Sequence, residues 1–454
     1  MSAARYSVGA SGELRVTERH GAPRPLGRID VAWNMLTWWG TPRPIVKDLL
    51  HIATAVHHID RIAPREKSGD GVWGPPPRRI DVELRVSEPG HWLGVNDELN
   101  QLLRWLTDDD WNLSFQRAQD VRLTQEDCHL ERLKEAEEIA LFSGGLDSLA
   151  GAHIRIQEHD RPLYLLSSLG TPVREHFQKQ ACAALDASRC RWMGFQHRLR
   201  RHGRLITPNR TRGFLFLSAA AAAADTLGIK TVSTYECGVG ALNLPMNGAQ
   251  IGAQNTRATH PRTLRRLESI LRRVLETDLR LELPFLLLTK GELCRRTGDA
   301  LGKLARASNS CDETERSKKD LREHCGVCTS CLLRRASLYA VLGDADPSTY
   351  RCHETRRNGR YQIEAFHAQA RRFATMNRYQ DLVDHSRTVD DAVDYLTTRG
   401  TSLHHAQEQV LSLFKRHADE VLSFYRERSP SDLSPRPRRS RTKSPHHDLF
   451  PATG

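Results

Sequence analysis

The chain has 454 residues, and at about 150 residues per domain this length predicts two or three domains. Hydrophobic residues make up 39% and charged residues 27% of the sequence, which excludes collagenous, fibrous and wholly disordered proteins. Lysine and arginine outnumber aspartate and glutamate by 67 to 55. The resulting formal net charge of +12 favours polyanionic ligands, from ATP to tRNA, without choosing among them.

The first residues of the chain lack the basic and then apolar pattern of a secretory signal. The longest apolar run, residues 214–224, is shorter than the roughly 18 to 20 residues that span a bilayer. We therefore predict a cytoplasmic protein with no membrane partner. In that reducing compartment its ten cysteines stay reduced, so a close group of them indicates a metal site.

Residues 1–137 mix strand and helix patterns and are predicted to form a small α+β domain of unknown role. Residues 79–85 alternate in polarity like a strand, and residues 46–62 place apolar side chains and His57 at helical spacing. The many tryptophans of this region are expected in its core.

Residues 138–355 are predicted to form an α/β domain with a doubly wound parallel sheet. Strand candidates lie at 139–142, 162–167, 231–235 and 281–288, and helical stretches at 173–185, 214–227 and 263–275. Residues 356–428 read as a helical extension with an apolar stripe in its last helix. Residues 429–454, rich in proline, serine and arginine, are predicted to be a disordered basic tail.

The sharpest local signal follows the strand candidate at 139–142. It consists of Ser143, Gly144, Gly145, Leu146, Asp147 and Ser148. A strand, a glycine turn and a helix N-terminus present backbone N–H groups to a phosphate, two serines add hydroxyls, and Asp147 can hold Mg²⁺. An ordinary capped turn is the alternative. The full string resembles the SGGxDS loop of the PP-loop ATP pyrophosphatases, which cleave ATP between its α and β phosphates.

A cysteine cluster lies further along the chain. Cys325, Cys328 and Cys331 fall within seven residues, and Cys311 lies 14 positions upstream. Four thiolates suit a closed tetrahedral structural zinc site. Iron–sulfur ligation is a minority alternative, and His324, Cys352 or His353 could replace Cys311 as the fourth ligand.

Together these segments resemble the 7-cyano-7-deazaguanine synthase (QueC) family over residues 138–355. The resemblance includes residues 208–214 (PNRTRGF), 288–292 (LTKGE) and the cysteine cluster. It implies a fold of the PP-loop (HUP-like) kind with a zinc knuckle. It also implies that residues 143–148 bind ATP and Mg²⁺, and that Arg210 and Lys290 act with Asp147 in catalysis as pyrophosphate departs.

The family's chemistry implies that ATP activates a 7-deazapurine carboxylate, such as 7-carboxy-7-deazaguanine, as its adenylate, which then passes to an amine. This makes the expected enzyme an ATP-dependent carboxylate–amine ligase. Two further segments, 236–245 and 257–262, resemble the QueC-like proteins of bacterial antiphage defence operons such as the Qat system. That resemblance implies other proteins of a defence operon as partners. Glu236, Arg257, His260 and Arg262 are extra candidates for ligand contact.

Two other functions remain open on the sequence. A PP-loop tRNA-modifying enzyme would suit the basic charge, with nucleic acid as its partner. A non-catalytic adaptor in a defence complex could use the same loop only to sense a nucleotide.

Overall fold

The computed structural model describes ten stretches of the chain. They are residues 4–18, 21–32, 42–65, 76–123, 136–159, 161–200, 210–246, 256–312, 323–351 and 357–426. The tail predicted at 429–454 lies outside them. Trp92 and Trp111, two of the N-terminal tryptophans that are described, are buried as expected of core residues.

Ten strands form one mixed sheet in this part of the chain. They are β1 (Arg5–Val8), β2 (Glu13–Thr17), β3 (Arg24–Ala32), β4 (Arg79–Val86), β5 (Asp110–Arg117), β6 (Glu138–Leu141), β7 (Leu163–Leu169), β8 (Cys190–Arg200), β9 (Thr231–Thr234) and β10 (Arg280–Glu282). Their order across the sheet is β10-β9-β6-β7-β8-β3-β2-β1-β4-β5.

Helices cover the sheet and continue beyond its last strand. They are α1 (Pro44–Ile62), α2 (Pro89–Leu93), α3 (Asn96–Thr107), α4 (Leu146–Glu158), α5 (Pro172–Cys182), α6 (Arg212–Leu227), α7 (Gly238–Leu242), α8 (Pro261–Leu275), α9 (Lys290–Arg295), α10 (Leu301–Ala307), α11 (Thr329–Leu342), α12 (Arg357–Thr375), α13 (Tyr379–His385), α14 (Asp390–Thr397) and α15 (Leu403–Arg426). None of the described helices is both long and apolar enough to span a bilayer.

The five strands β6 to β10 pair in parallel, which confirms the predicted α/β class. The strand order changes direction at β6, with β7 and β8 on one side and β9 and β10 on the other. In open α/β sheets ligands collect at such a switch point, beyond the carboxyl ends of the strands. The fold thus places the segment after β6 where a site is expected.

Strand β8 is absent from the sequence-based prediction. Its residues combine aromatic side chains with histidine and several arginines, so no apolar run marks it, and most of them are only partly buried. It pairs in parallel with β7 on one side and antiparallel with β3 on the other. The boundary predicted at residue 137 therefore separates two segments whose strands share a single sheet.

Helix α6 is the buried helix predicted from the apolar run. Alanine has the highest helix propensity, and a helix made largely of it can approach its neighbours closely on every side. It packs against α1 and ends at Gly228, whose φ of +71° is the left-handed conformation common after helices.

A buried ion cluster joins the N-terminal segment to the start of α6. The guanidinium of Arg78 donates to Asp60 at 2.5 Å and to Asp109 at 2.6 Å. The other oxygen of Asp60 accepts from the backbone amides of Arg210 and Thr211, both at 3.2 Å. A buried carboxylate shared in this way fixes the two segments relative to each other, because either charge alone would be costly to bury.

Candidate active site

The segment between β6 and α4 is a tight turn. Gly144 has a φ of +77°, a conformation that favours glycine, and a Cβ added there would lie only 3.2 Å from the Cα of Gln178. The amide of Gly145 donates to the Ser143 hydroxyl, whose oxygen lies 3.1 Å from that of Ser148. With the N-terminus of α4 next in the chain, the turn has the features of an anion-binding loop.

The turn is held from outside by the segment that precedes the cysteine cluster. The amide of Asn309 donates to the carbonyl of Gly144 at 3.0 Å, and the amide of Leu146 donates to the Ser310 hydroxyl at 3.1 Å. Arg334, which is fully buried, donates in turn to the Ser308 hydroxyl at 2.9 Å. The position of the loop thus depends on residues 308–310.

Three ionisable side chains meet at the first turn of α4. The ammonium of Lys290 lies 2.5 Å from Oδ2 of Asp147, and both residues are buried. Oδ1 of Asp147 is also buried and receives no hydrogen bond from an N–H or hydroxyl donor among the described residues. Ligand atoms of Asp147, Glu236 and Cys237 lie within 4.8 Å of one another. The structure thus brings together the predicted catalytic residues Asp147 and Lys290 and adds Glu236 to them.

The charges of this group shift one another's titration. Burial acts to lower the pKa of Lys290, but the attraction of Asp147 overcomes it, and the net change is a rise. Burial raises the pKa of Glu236 to about 8, and the nearby Asp147 adds to the rise. Near neutral pH the group therefore contains a cationic lysine and a carboxyl that readily keeps its proton.

This shift predicts a pH-dependent stability. A folded-state pKa raised from 4.5 to about 8 means that the folded chain holds a proton that the unfolded chain has released. The contribution of Glu236 to stability is complete below pH 4.5 and is lost as the pH rises through 8. As the pH rises from 4.5 to 9, the free energy of unfolding of the Glu236→Gln chain should therefore increase by up to about 4 kcal/mol relative to that of the wild type.

Urea unfolding of both chains at the two pH values measures this gain. The exposed Glu364 supplies a matched control, Glu364→Gln, whose stability should follow that of the wild type at both pH values. Equal pH dependence in the wild type and Glu236→Gln would contradict the assigned shift.

Arg210 lies elsewhere. Its guanidinium donates to the carbonyl of Thr107 at 2.6 Å, within the ion cluster that joins the N-terminal segment to α6, and it does not line the cavity next to the loop. Burial lowers the pKa of Arg210, and Arg65 adds to that effect. Arg212, the first residue of α6, does line the cavity. The sequence signal that could have found Arg212 is its position in residues 208–214, the same segment that contains Arg210.

The cavity has a volume of about 1040 Å³ and is lined by residues distant in sequence. Its polar lining includes Ser143, Gly145, Asp147, Ser148, Arg174, Gln178, Arg212, Glu236, Lys290, Asn309 and Ser310. The C-terminal helices α12 and α15 contribute Phe366, Gln369, Phe373, Phe414 and His417. The helical extension therefore forms part of the wall, which the sequence did not predict.

The extension also contacts the helix that carries Lys290. Thr289 caps α9 in a capping box with Glu292, so Glu292 has a structural role. The Thr289 hydroxyl donates to the carboxylate of Glu420 on α15, which also accepts from the amide of Gly291 at 3.3 Å. Glu420 thus binds the residues on both sides of Lys290, through the hydroxyl of Thr289 and the amide of Gly291.

The other extra candidates are structural as well. Arg257 and Arg262 both contact the ring of Trp105, with their guanidinium carbons 4.2 and 4.3 Å from its centre. Arg262 also donates to Asp391 on α14 at 2.7 Å. His260 is buried and caps α8. None of these three side chains lines the cavity; they join helices instead.

The four cysteines predicted as metal ligands converge. The sulfurs of Cys311, Cys325, Cys328 and Cys331 all lie within 4.8 Å of one another. The Sγ atoms of Cys325 and Cys331 are 3.8 Å apart. Two thiolates bound tetrahedrally at about 2.3 Å from one zinc ion have the same separation of about 3.8 Å. The amides of Cys325 and Cys328 donate to the sulfurs of Cys311 and Cys325, both at 3.3 Å. The donor set therefore fits a single ion such as zinc.

The sequence left open other fourth ligands and an iron–sulfur cluster. His324 is buried against Tyr350 and is not part of the group. Cys352 and His353 lie outside the described residues. An iron–sulfur cluster distributes its thiolates over several irons, whereas these sulfurs are close enough to share one ion.

The strand order of β6 to β10 and the loop after β6 form an α/β unit with an anion-binding type of turn at its switch point. The family model described as "Queuosine biosynthesis protein QueC" matches residues 204–342. That match includes Lys290 and all four cysteines, covers less than half of the chain and begins after the loop at 143–148. It supports a QueC-like PP-loop protein and an enzyme of the ATP pyrophosphatase type. No curated protein matches the chain.

Proposed function

We propose that this chain is an ATP-dependent enzyme that adenylates a carboxylate, releases pyrophosphate and transfers the activated acyl group to an amine. The observation that carries the proposal is the contact of Asp147 with Lys290 at the start of α4, directly beside the glycine loop. This contact places an acidic group and a buried cation where the loop would hold phosphates. In the reaction, a carboxylate oxygen displaces pyrophosphate from the α-phosphorus, and the amine then displaces AMP.

The residues of the loop would bind and orient the phosphates. The hydroxyls of Ser143 and Ser148 would be donors, together with the amide of Gly145, which would turn from the Ser143 hydroxyl to a phosphate. Leu146 is the first residue of the helix that follows. Lys290 and Arg212 would stabilise the negative charge that grows on the departing pyrophosphate. We assign Arg212 the role that the family resemblance had given to Arg210, because only Arg212 of the two reaches the cavity.

The acidic residues fit Mg²⁺. Oδ1 of Asp147 is a buried carboxylate oxygen that receives no hydrogen bond from an N–H or alcohol group among the described residues. The carboxyl of Glu236 shares a hydrogen bond with Asp147, and Mg²⁺ would replace its proton. Carboxylate oxygens are the ligands that this ion prefers. Bound there, the ion would screen the charge of the phosphates. Lys290 would keep Asp147 in place through their ion pair.

The proposed substrate is 7-carboxy-7-deazaguanine or a similar 7-deazapurine carboxylate, as the family resemblance implies. The cavity has room for a second molecule beside a nucleotide, and its aromatic wall suits a flat heterocycle. We further propose that the enzyme works in the cytoplasm with other proteins of an antiphage defence operon, which supply or accept the amine. Nucleic acid is the alternative acceptor, and the charge of +12 favours it.

The test uses the full chain with α-labelled ATP, Mg²⁺ and 7-carboxy-7-deazaguanine. Each reaction is run with and without ammonia and candidate partner proteins, and AMP is separated from ADP while the mass of every product is recorded. We expect AMP and pyrophosphate in equal amounts and an amide or conjugate of the deazapurine. Formation of ADP, or no turnover in any combination, would contradict the proposal and favour a nucleotide-sensing adaptor.

A further inference from the structure

Three histidines lie together between the N-terminal segment and the central sheet. His57 and His58 are consecutive residues of α1, and His197 lies on β8. His57 is 1% and His58 2% exposed, and His197 is partly buried. One ring nitrogen from each lies within 4.8 Å of the others. The three rings therefore surround one point where α1 meets β8.

The distances suit coordination of one ion. The ring centres are 4.9 Å apart for His57 and His197 and 5.2 Å apart for the other two pairs. Nδ1 of His197 lies 3.2 Å from Nε2 of His58. Two nitrogens bound tetrahedrally at about 2.0 to 2.1 Å from zinc are about 3.3 Å apart. This pair is therefore already at the spacing of two zinc ligands.

Two ring nitrogens of the cluster lack partners. Nδ1 of His57 is buried and has no hydrogen-bond partner among the described residues, which leaves it available to an ion. Nδ1 of His58 is also unpartnered among them, but Nε2 is the nitrogen of that ring that faces His197. Nε2 of His197 lies 3.4 Å from the hydroxyl of Ser168 on β7. A metal-bound histidine commonly donates its second ring N–H in this way, which fixes the ring and turns the other nitrogen towards the metal.

The chemistry of the ligand atoms indicates which kind of ion the three histidines would bind. The group consists of imidazoles, which suit zinc, copper and nickel, whereas magnesium and calcium require oxygen ligands.

We propose that His57, His58 and His197 bind a late first-row transition metal ion of the zinc class, in addition to the ion of the cysteine cluster. Three protein ligands leave a fourth position for water. The ion would connect α1 to β8 and thereby tie the N-terminal segment to the sheet that carries the phosphate loop. This proposal does not depend on the reaction proposed above.

The test counts metal ions in the full chain, purified without a histidine tag. The protein is stripped with a chelator under reducing conditions and titrated with Zn²⁺ or Co²⁺, and bound metal is measured after gel filtration. We expect two ions per wild-type chain and one per His197→Gln chain. His404→Gln, which removes an exposed histidine of α15, should still bind two.

A second measurement needs no variant. X-ray absorption of the wild type loaded with two equivalents of zinc should show both a sulfur shell and an imidazole shell. One ion per wild-type chain with sulfur ligands alone would overturn the proposal even if His197→Gln failed to fold. So would equal metal content in His197→Gln and His404→Gln.

Discussion

Replacement of Asp147 by asparagine is expected to lower the rate of AMP and pyrophosphate formation by about 10²- to 10³-fold, the usual cost of removing one preorganised electrostatic group. The substitution keeps the size of the side chain but removes the charge that pairs with Lys290 and that would hold Mg²⁺. Initial rates with α-labelled ATP over a range of Mg²⁺ concentrations measure the effect. The Mg²⁺ concentration for half-maximal rate should also rise.

Asp299→Asn is the matched control, since Asp299 is exposed in a short turn that does not line the cavity. Its rate should equal that of the wild type. Unfolding curves for all three chains separate loss of chemistry from loss of fold. A wild-type rate in Asp147→Asn would remove this residue from the proposed mechanism.

The second large effect is expected from the cysteine cluster. Structural zinc contributes about 10 to 16 kcal/mol in isolated zinc-finger peptides, so Cys328→Ser should cost several kcal/mol even within this larger fold. The loop at residues 143–148 should also become less well positioned, because its backbone is hydrogen-bonded to Asn309 and Ser310, which directly precede Cys311. We expect a lower melting temperature, loss of the ion bound by the cysteine cluster and a raised KM for ATP.

Cys182→Ser provides the comparison, since Cys182 lies on α5 and is not among the four grouped cysteines. It should retain both the metal and the affinity for ATP. If Cys328→Ser kept the full metal content and the melting temperature of the wild type, a structural role for the ion of the cysteine cluster would be wrong.

The parts predicted best are those encoded by neighbouring residues. The glycine loop requires a strand, a turn and a helix start in sequence, and the cysteine cluster requires close spacing, so both can be recognised without knowing the fold. The strands β6, β7 and β9 were likewise predicted close to their observed positions because they carry apolar runs or β-branched residues. The strand predicted at 281–288 is too long, since β10 ends at Glu282 and turns follow it.

What the sequence missed depends on contacts between distant segments. Arg210 and Arg212 are two residues apart, and only the packing of Asp60 and Thr107 against the start of α6 decides which of them reaches the cavity. The wall formed by Phe373 and Phe414 arises because α12 and α15 fold back over the site. No local pattern distinguishes such a wall from an ordinary packing face.

The antiparallel pairing of β3 with β8 also decides how the protein can be divided. A fragment that starts at residue 138 would carry the loop and the cysteines, but it would leave the eleven-residue strand β8 as an uncovered edge. Such edges recruit strands from other molecules and promote aggregation. The two halves are therefore better handled as complementing fragments, co-expressed so that β3 is available when β8 forms.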